Sequence, residues 1–212
     1  MEQSLEYCSL HYLNMWLKHD RIYHDALNNH GKKEKLLAIK KAAQYYKVSR
    51  NLPKKHETGE RLSPVLKAID KLTSDDFEGN KTIKSIEKAK EKISIAYGGI
   101  NALSFSTKIL WVKIQDPIVI YDSKACAALD IKKGSRDLSS FYEKWHAAYE
   151  RKADEIASAC QKLSRVAPYS YYYSHPHPND DFISTTSYIK EISESPWFQK
   201  RVFDMHLWHK AP

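Results

Sequence analysis

The residue best placed for chemistry is Asp122, in the stretch Ile118-Val119-Ile120-Tyr121-Asp122-Ser123-Lys124. It follows a short extended apolar piece and stands where the next helix begins. A carboxylate there accepts from orphan backbone N–H groups and sits in the positive end of the helix dipole. The same setting favours the ionised form, which a catalytic carboxylate needs. Asp122 is therefore either a helix N-cap or the centre of the chemistry, and local residues leave both open. Other reactive constellations are weaker. His175-x-His177 with Asp180 and Asp181 has intervening prolines and too few partners for a metal centre, so no metal is expected. There is no P-loop, no Rossmann glycine pattern and no GxSxG elbow.

The elements around Asp122 are helical. Gly98-Gly99 provides the freedom for positive φ that a tight helix-to-helix turn requires. Upstream, Thr82 to Tyr97 carries an apolar stripe of Ile83, Ile86, Ala89 and Ile93; downstream, Ala102 to Lys113 repeats Leu103, Ile109, Leu110 and Val112. Further helices are expected over residues 4–18, 32–48, 63–72, 123–130, 138–165, 182–192 and 197–209. The run PYSYYYSHPHPNDD, from Pro168 to Asp181, holds three prolines and is expected to be a non-helical loop.

Six glycines among 212 residues, with abundant Lys, Ala, Leu and Glu, predict an all-α fold. The length suits one sizeable domain over 1–212, or two small helical lobes around a shared cleft. A net charge of +8 favours a polyanionic partner. No run approaches the ~18 apolar residues of a membrane span, so no membrane partner is expected. Cys8, Cys126 and Cys160 lie far apart with no CxxC pair, as expected of reduced thiols in the cytoplasm.

With hairpin, helix, link and aspartate in order, the chain resembles the helix–hairpin–helix DNA glycosylase superfamily. It is most similar to bacterial members with an 8-oxoguanine-glycosylase-like fold. The residues that carry the resemblance are Tyr97-Gly98-Gly99-Ile100-Asn101 at the hairpin and Ile120 to Ala125 at the aspartate, within segment 96–128. Val202 to Lys210 (VFDMHLWHK) resembles the last helix of those members. Asn101 stands where the family pattern prefers glycine. Leu103 stands where bifunctional relatives carry the lysine that forms a Schiff base, which leucine cannot do. The resemblance thus implies a monofunctional glycosylase acting in base-excision repair or in defence against phage with modified bases. Lys108, about 1.4 turns farther along the same helix, is the alternative lyase lysine.

Rupture of an N-glycosidic bond builds positive charge on the sugar, which a nearby carboxylate stabilises while it activates water. The base must first leave the duplex, and aromatic or apolar residues then hold it. Tyr171, Tyr172, Tyr173, Trp111 and Trp145 are candidates, each with a plain packing role as the competing reading. Trp16, Trp197 and Trp208 are assigned to the core. Backbone N–H groups of Gly98, Gly99 and Asn101 would grip a phosphate, and Lys124, Lys132, Lys133 and Arg136 would follow the backbone of double-stranded DNA. No cofactor is required for hydrolysis; the family resemblance implies a monovalent cation at the hairpin carbonyls. A monomer is expected. The competing functions are a non-catalytic helix–hairpin–helix DNA-binding module and a basic helical scaffold for an acidic protein.

Overall fold

Helices begin and end in this chain where capping chemistry permits. The computed structural model describes residues 3–53, 60–132, 134–170 and 182–211, and within them every regular element is helical. The α-helices are α1 (Leu5–Met15), α2 (Arg21–Asn29), α3 (Lys32–Tyr45), α4 (Ser63–Ile69), α5 (Lys81–Ala96), α6 (Leu103–Ile114), α7 (Ser123–Ala128), α8 (Leu138–Glu150), α9 (Ala153–Gln161), α10 (Phe182–Glu194) and α11 (Pro196–Lys210). A π-helical turn over Trp16–Asp20 separates α1 from α2. No described helix is long and apolar enough to cross a membrane.

The chain divides into two compact units, one made of Met1–Lys18 with Asp122–Pro212, the other of His19–Tyr121. In the His19–Tyr121 unit, α6 packs against α2, α3 and α5, and α4 packs against α3 and α5. Helix α6 is buried on nearly every face, from Leu103 and Phe105 through Lys113, and takes Ser106, Thr107, Lys108 and Lys113 into the interior with its apolar residues. Its last carbonyls still need donors. Asn28 donates from Nδ2 to the Lys113 carbonyl (3.0 Å), and His24 Nδ1 lies 2.9 Å from the Val112 carbonyl. Burial lowers the His24 pKa, in keeping with a neutral ring that donates there.

In the other unit, α11 packs against α1, α7, α9 and α10. Its core holds Tyr12, Leu13, Phe141, Trp145, Ile156, Phe198, Val202 and Phe203, and Cys8, Cys126 and Cys160 are buried as thiols rather than disulfides. Trp145 stacks on Tyr149 (5.4 Å, 11° between planes) and meets Phe203 edge-on at 5.1 Å.

Two expectations about helix extent need correction. The span 138–165 is not one helix: it breaks after Glu150, where the Lys152 amide turns back to the Tyr149 carbonyl (2.8 Å). Lys162–Tyr169 is then 3-10. No proline or glycine marks the break, and the apolar stripe runs on in register through Tyr149, Ile156 and Cys160, which hides it. Helix α2 was not expected. Tyr23 and Leu27 are its only buried side chains, and Ile22 faces outward, so its sequence looks like a polar loop.

Candidate functional site

The hairpin after α5 is a Schellman turn. The Gly99 amide donates to the Ser94 carbonyl (2.8 Å) and the Gly98 amide to the Ile95 carbonyl (3.1 Å), with φ of 77° and 84° at Gly98 and Gly99. Ser94 Oγ donates to the Ile100 carbonyl (2.7 Å), and Tyr97 donates its hydroxyl to the Arg61 carbonyl. Burial pushes the Tyr97 phenol up to about 12, so it remains a donor. Gly98, Gly99 and Asn101 are exposed. Asn101, the departure from the family pattern, receives the Leu103 amide on Oδ1 (3.3 Å) and so covers one orphan donor of α6 with its own side chain. A Cβ on Gly99 meets nothing within 4 Å, leaving backbone strain as the only cost of adding one. Gly99→Ala is therefore expected to destabilise the protein by about 1–2 kcal/mol, measured by urea unfolding.

Leu103 is buried, as is Lys108, whose Nζ lies 3.2 Å from Ser104 Oγ. Trp111 is 2% exposed and Trp145 is fully buried, both as core side chains. Lys132 and Arg136 are exposed on the segment before α8. Lys133 and Tyr171, Tyr172 and Tyr173 lie outside the described residues, as do His175, His177, Asp180 and Asp181.

Asp122 is the N-cap of α7, with extended backbone (φ −135°, ψ 144°). Its Oδ1 accepts from the Lys124 amide at 2.9 Å, and the residue is half-buried. The side chain of Lys124 continues outward to place its ammonium 3.8 Å from the centroid of the Trp208 ring. Trp208 is 43% exposed, which corrects its assignment to the core. It meets His209 edge-on at 5.1 Å, and His209 Nε2 lies 3.2 Å from His11 Nδ1. Tyr7, 46% exposed, touches both imidazoles edge-on. One ring must donate and the other accept, so at least one imidazole is neutral. Burial lowers both pKa values, reinforced by the Lys124 charge at His209 and by His209 itself at His11. The result is an exposed aromatic platform carrying a cation, tied through Lys124 to a carboxylate.

A buried polar group also lies on α11. Asp204 receives Trp145 Nε1–H on Oδ1 (2.8 Å) and Arg201 on Oδ2 (3.2 Å). Burial raises its carboxyl to about 6 against the pull of Arg201, and the negative charge of Asp122 adds to the rise. Two carboxylates of unlike environment thus feel each other, one half-exposed and one in the core.

Sequence reasoning found Asp122 and Lys124 but missed Tyr7, Trp208, His209 and Asp204. Trp208 was not detectable: α11 is buried from Arg201 through Leu207, and exposure begins only at the next residue. Among the described residues no group of three or more His, Cys, Asp or Glu side chains could hold a metal ion. No protein-family model matches the chain, and no curated protein or solved structure matches it.

Proposed function

We propose that the chain is a monofunctional DNA glycosylase that hydrolyses the bond between a damaged or modified base and its sugar. The observation that carries this reading is the setting of Asp122. It is a backbone-anchored, half-exposed carboxylate joined through Lys124 to an exposed aromatic platform. In sequence it follows a glycine hairpin, whose Gly98 and Gly99 amides are spent on the Ile95 and Ser94 carbonyls rather than left for a phosphate, and a buried helix.

In the proposed reaction the flipped base stacks on Trp208, with Lys124 beside it. As the C1′–N bond breaks, its electron pair leaves with the base, and Asp122 stabilises the oxocarbenium-like sugar. The oxygen of a water then bonds to C1′ while Asp122 takes its proton and passes it to solvent or to the departing base. Leu103 offers no amine, so the product is an intact strand with an abasic site. Lys132 and Arg136 contribute the sequence-independent attraction for phosphates. The biological setting proposed is base-excision repair or defence against phage with modified bases, in the cytoplasm, by a monomer.

The test is a panel of labelled duplexes bearing oxidised, alkylated and hypermodified bases, including phage DNA with modified cytosines. Strand breaks after hot alkali, with none before it and no borohydride-trapped adduct, are the expected result. Breaks without alkali would shift the chemistry to Lys108. Salt-dependent DNA binding with no abasic product on any duplex would leave a DNA-binding module.

Trp208→Ala is expected to weaken binding of a duplex with an unpaired or modified base about 10- to 100-fold, since base–aromatic stacking contributes ~1–3 kcal/mol. Fluorescence anisotropy would measure it, and the exposure of Trp208 predicts an unchanged melting temperature. Equal affinity in the variant would remove the platform from the mechanism.

A further inference from the structure

A second concave feature lies at the other end of α7 from Asp122. There Ala128, Leu129 and Asp130 face α8, the start of α9 and the last turns of α11 across a hollow of about 590 Å³. That volume falls within the ~300–1,000 Å³ typical of small-molecule sites. Leu129 and Ala147 give it an accessible apolar lining, and Phe203, His206 and Leu207 of α11 close its base as buried side chains. Phe203 and His206 lie with their rings nearly parallel (26°, centroids 6.2 Å apart).

The rim is cationic. Lys144, Arg151, Lys152 and Lys210 stand against two carboxylates, Asp130 and Glu155. Lys152 pairs with Glu155 at 3.4 Å, and Lys144 donates to the Asp130 backbone carbonyl at 3.3 Å. The side chains of Arg151 and Lys210 enter no ion pair among the described residues and remain available to an anion. Arginine in particular matches a phosphate with its planar fork.

From this combination we infer that the hollow between α7, α8, α9 and α11 is a binding pocket for a mononucleotide-sized organic phosphate. The organic body would lie against Leu129 and Ala147, and the phosphate would sit between Arg151 and Lys210. Such a phosphate has two sources, a free nucleotide or the phosphorylated end of a nucleic acid strand. The inference does not rest on the glycosylase reading, because none of its residues belongs to the Asp122 platform.

The experiment is calorimetric titration of the whole protein with AMP, adenosine and inorganic phosphate, repeated with the double variant Arg151→Ser/Lys210→Ser. Both substituted side chains are exposed, so the fold and its melting temperature are expected to persist. AMP should saturate a single site, with adenosine and phosphate each binding at least tenfold more weakly. The double variant should lose at least tenfold in AMP affinity, and Asp122→Asn protein should bind AMP as wild type does. Added salt should weaken the binding. Displacement of AMP by a 5′-phosphorylated oligonucleotide, and not by its unphosphorylated twin, would assign the pocket to strand ends. Failure of both to displace it would assign the pocket to free nucleotides. An AMP titration without saturation, or equal AMP affinity in the double variant, would overturn the inference.

Discussion

Asp122→Asn protein is expected to lose at least about 100-fold in abasic-site formation while remaining folded and bound to DNA. Asparagine replaces the one group that the proposed chemistry cannot spare, an anion able to accept a proton. General-base assistance alone is worth about 10²–10⁴ in rate, and stabilisation of the sugar cation adds to it. As an N-cap, by contrast, asparagine is nearly equivalent to aspartate, because its side-chain oxygen can still accept from the Lys124 amide. The change in stability should stay within about 1 kcal/mol, set by the lost interaction of a charge with the helix dipole. The substitution therefore separates the two roles that local sequence leaves open. Single-turnover assays paired with urea unfolding would read both. Full activity in the variant would reduce Asp122 to a cap and sink the catalytic proposal.

The second large effect is expected at Asp204. Asp204→Ala leaves the Arg201 guanidinium in the core without its carboxylate and the Trp145 N–H without its acceptor. Removing one partner of a buried pair costs about 3–5 kcal/mol. Asp204→Asn retains an acceptor for Trp145 and should cost less. The two proteins also differ in how they respond to pH. The folded carboxyl of Asp204 titrates near about 6, above its ordinary value of 3.8, so folding takes up a proton between those values. Its contribution to stability therefore grows as pH falls from neutrality and is lost as pH rises through 6. The stability difference between wild type and Asp204→Asn should shift toward wild type by about 1–3 kcal/mol from pH 7 to pH 4. Urea unfolding at several pH values would measure it. A difference that moved the other way would mean that Arg201 holds the carboxylate ionised throughout.

The all-helical character was legible because helix signals in this chain are local. Ser4 caps α1, Pro64 and Pro196 sit in the first turns of α4 and α11, and Gly98-Gly99 ends α5. Helix α6 was plain from the helical spacing of Leu103, Ile109, Leu110 and Val112. What stayed hidden was set by tertiary contacts. The bend at Arg151–Lys152 interrupts a stripe that continues in register, and α2 turns only Tyr23 and Leu27 inward. The site divides the same way. Asp122 was found from its position at a helix start, and Lys124 followed from proximity in sequence. Trp208, His11 and His209 come together only because α1 and α11 pack side by side, and no spacing within either helix foretells that pairing. Asp204 looks like an ordinary polar residue of a C-terminal helix until its burial and its two donors are known.

The discontinuity of one unit bears on how the protein is made. Helix α1 leaves the ribosome ahead of the inserted unit, but α9 and α11, which pack on it, follow only after the whole of His19–Tyr121 has been translated. At ~5–20 residues per second, the wait for α11 lasts roughly 10–40 s. During that interval the inserted unit has every segment it needs to fold, while α1 presents its apolar face to whatever is nearby. The newborn chain thus passes through a stage in which the inserted unit is complete while α1 still lacks the helices that cover it. Synthesis of α11, rather than of α1, supplies the last segment that the discontinuous unit needs.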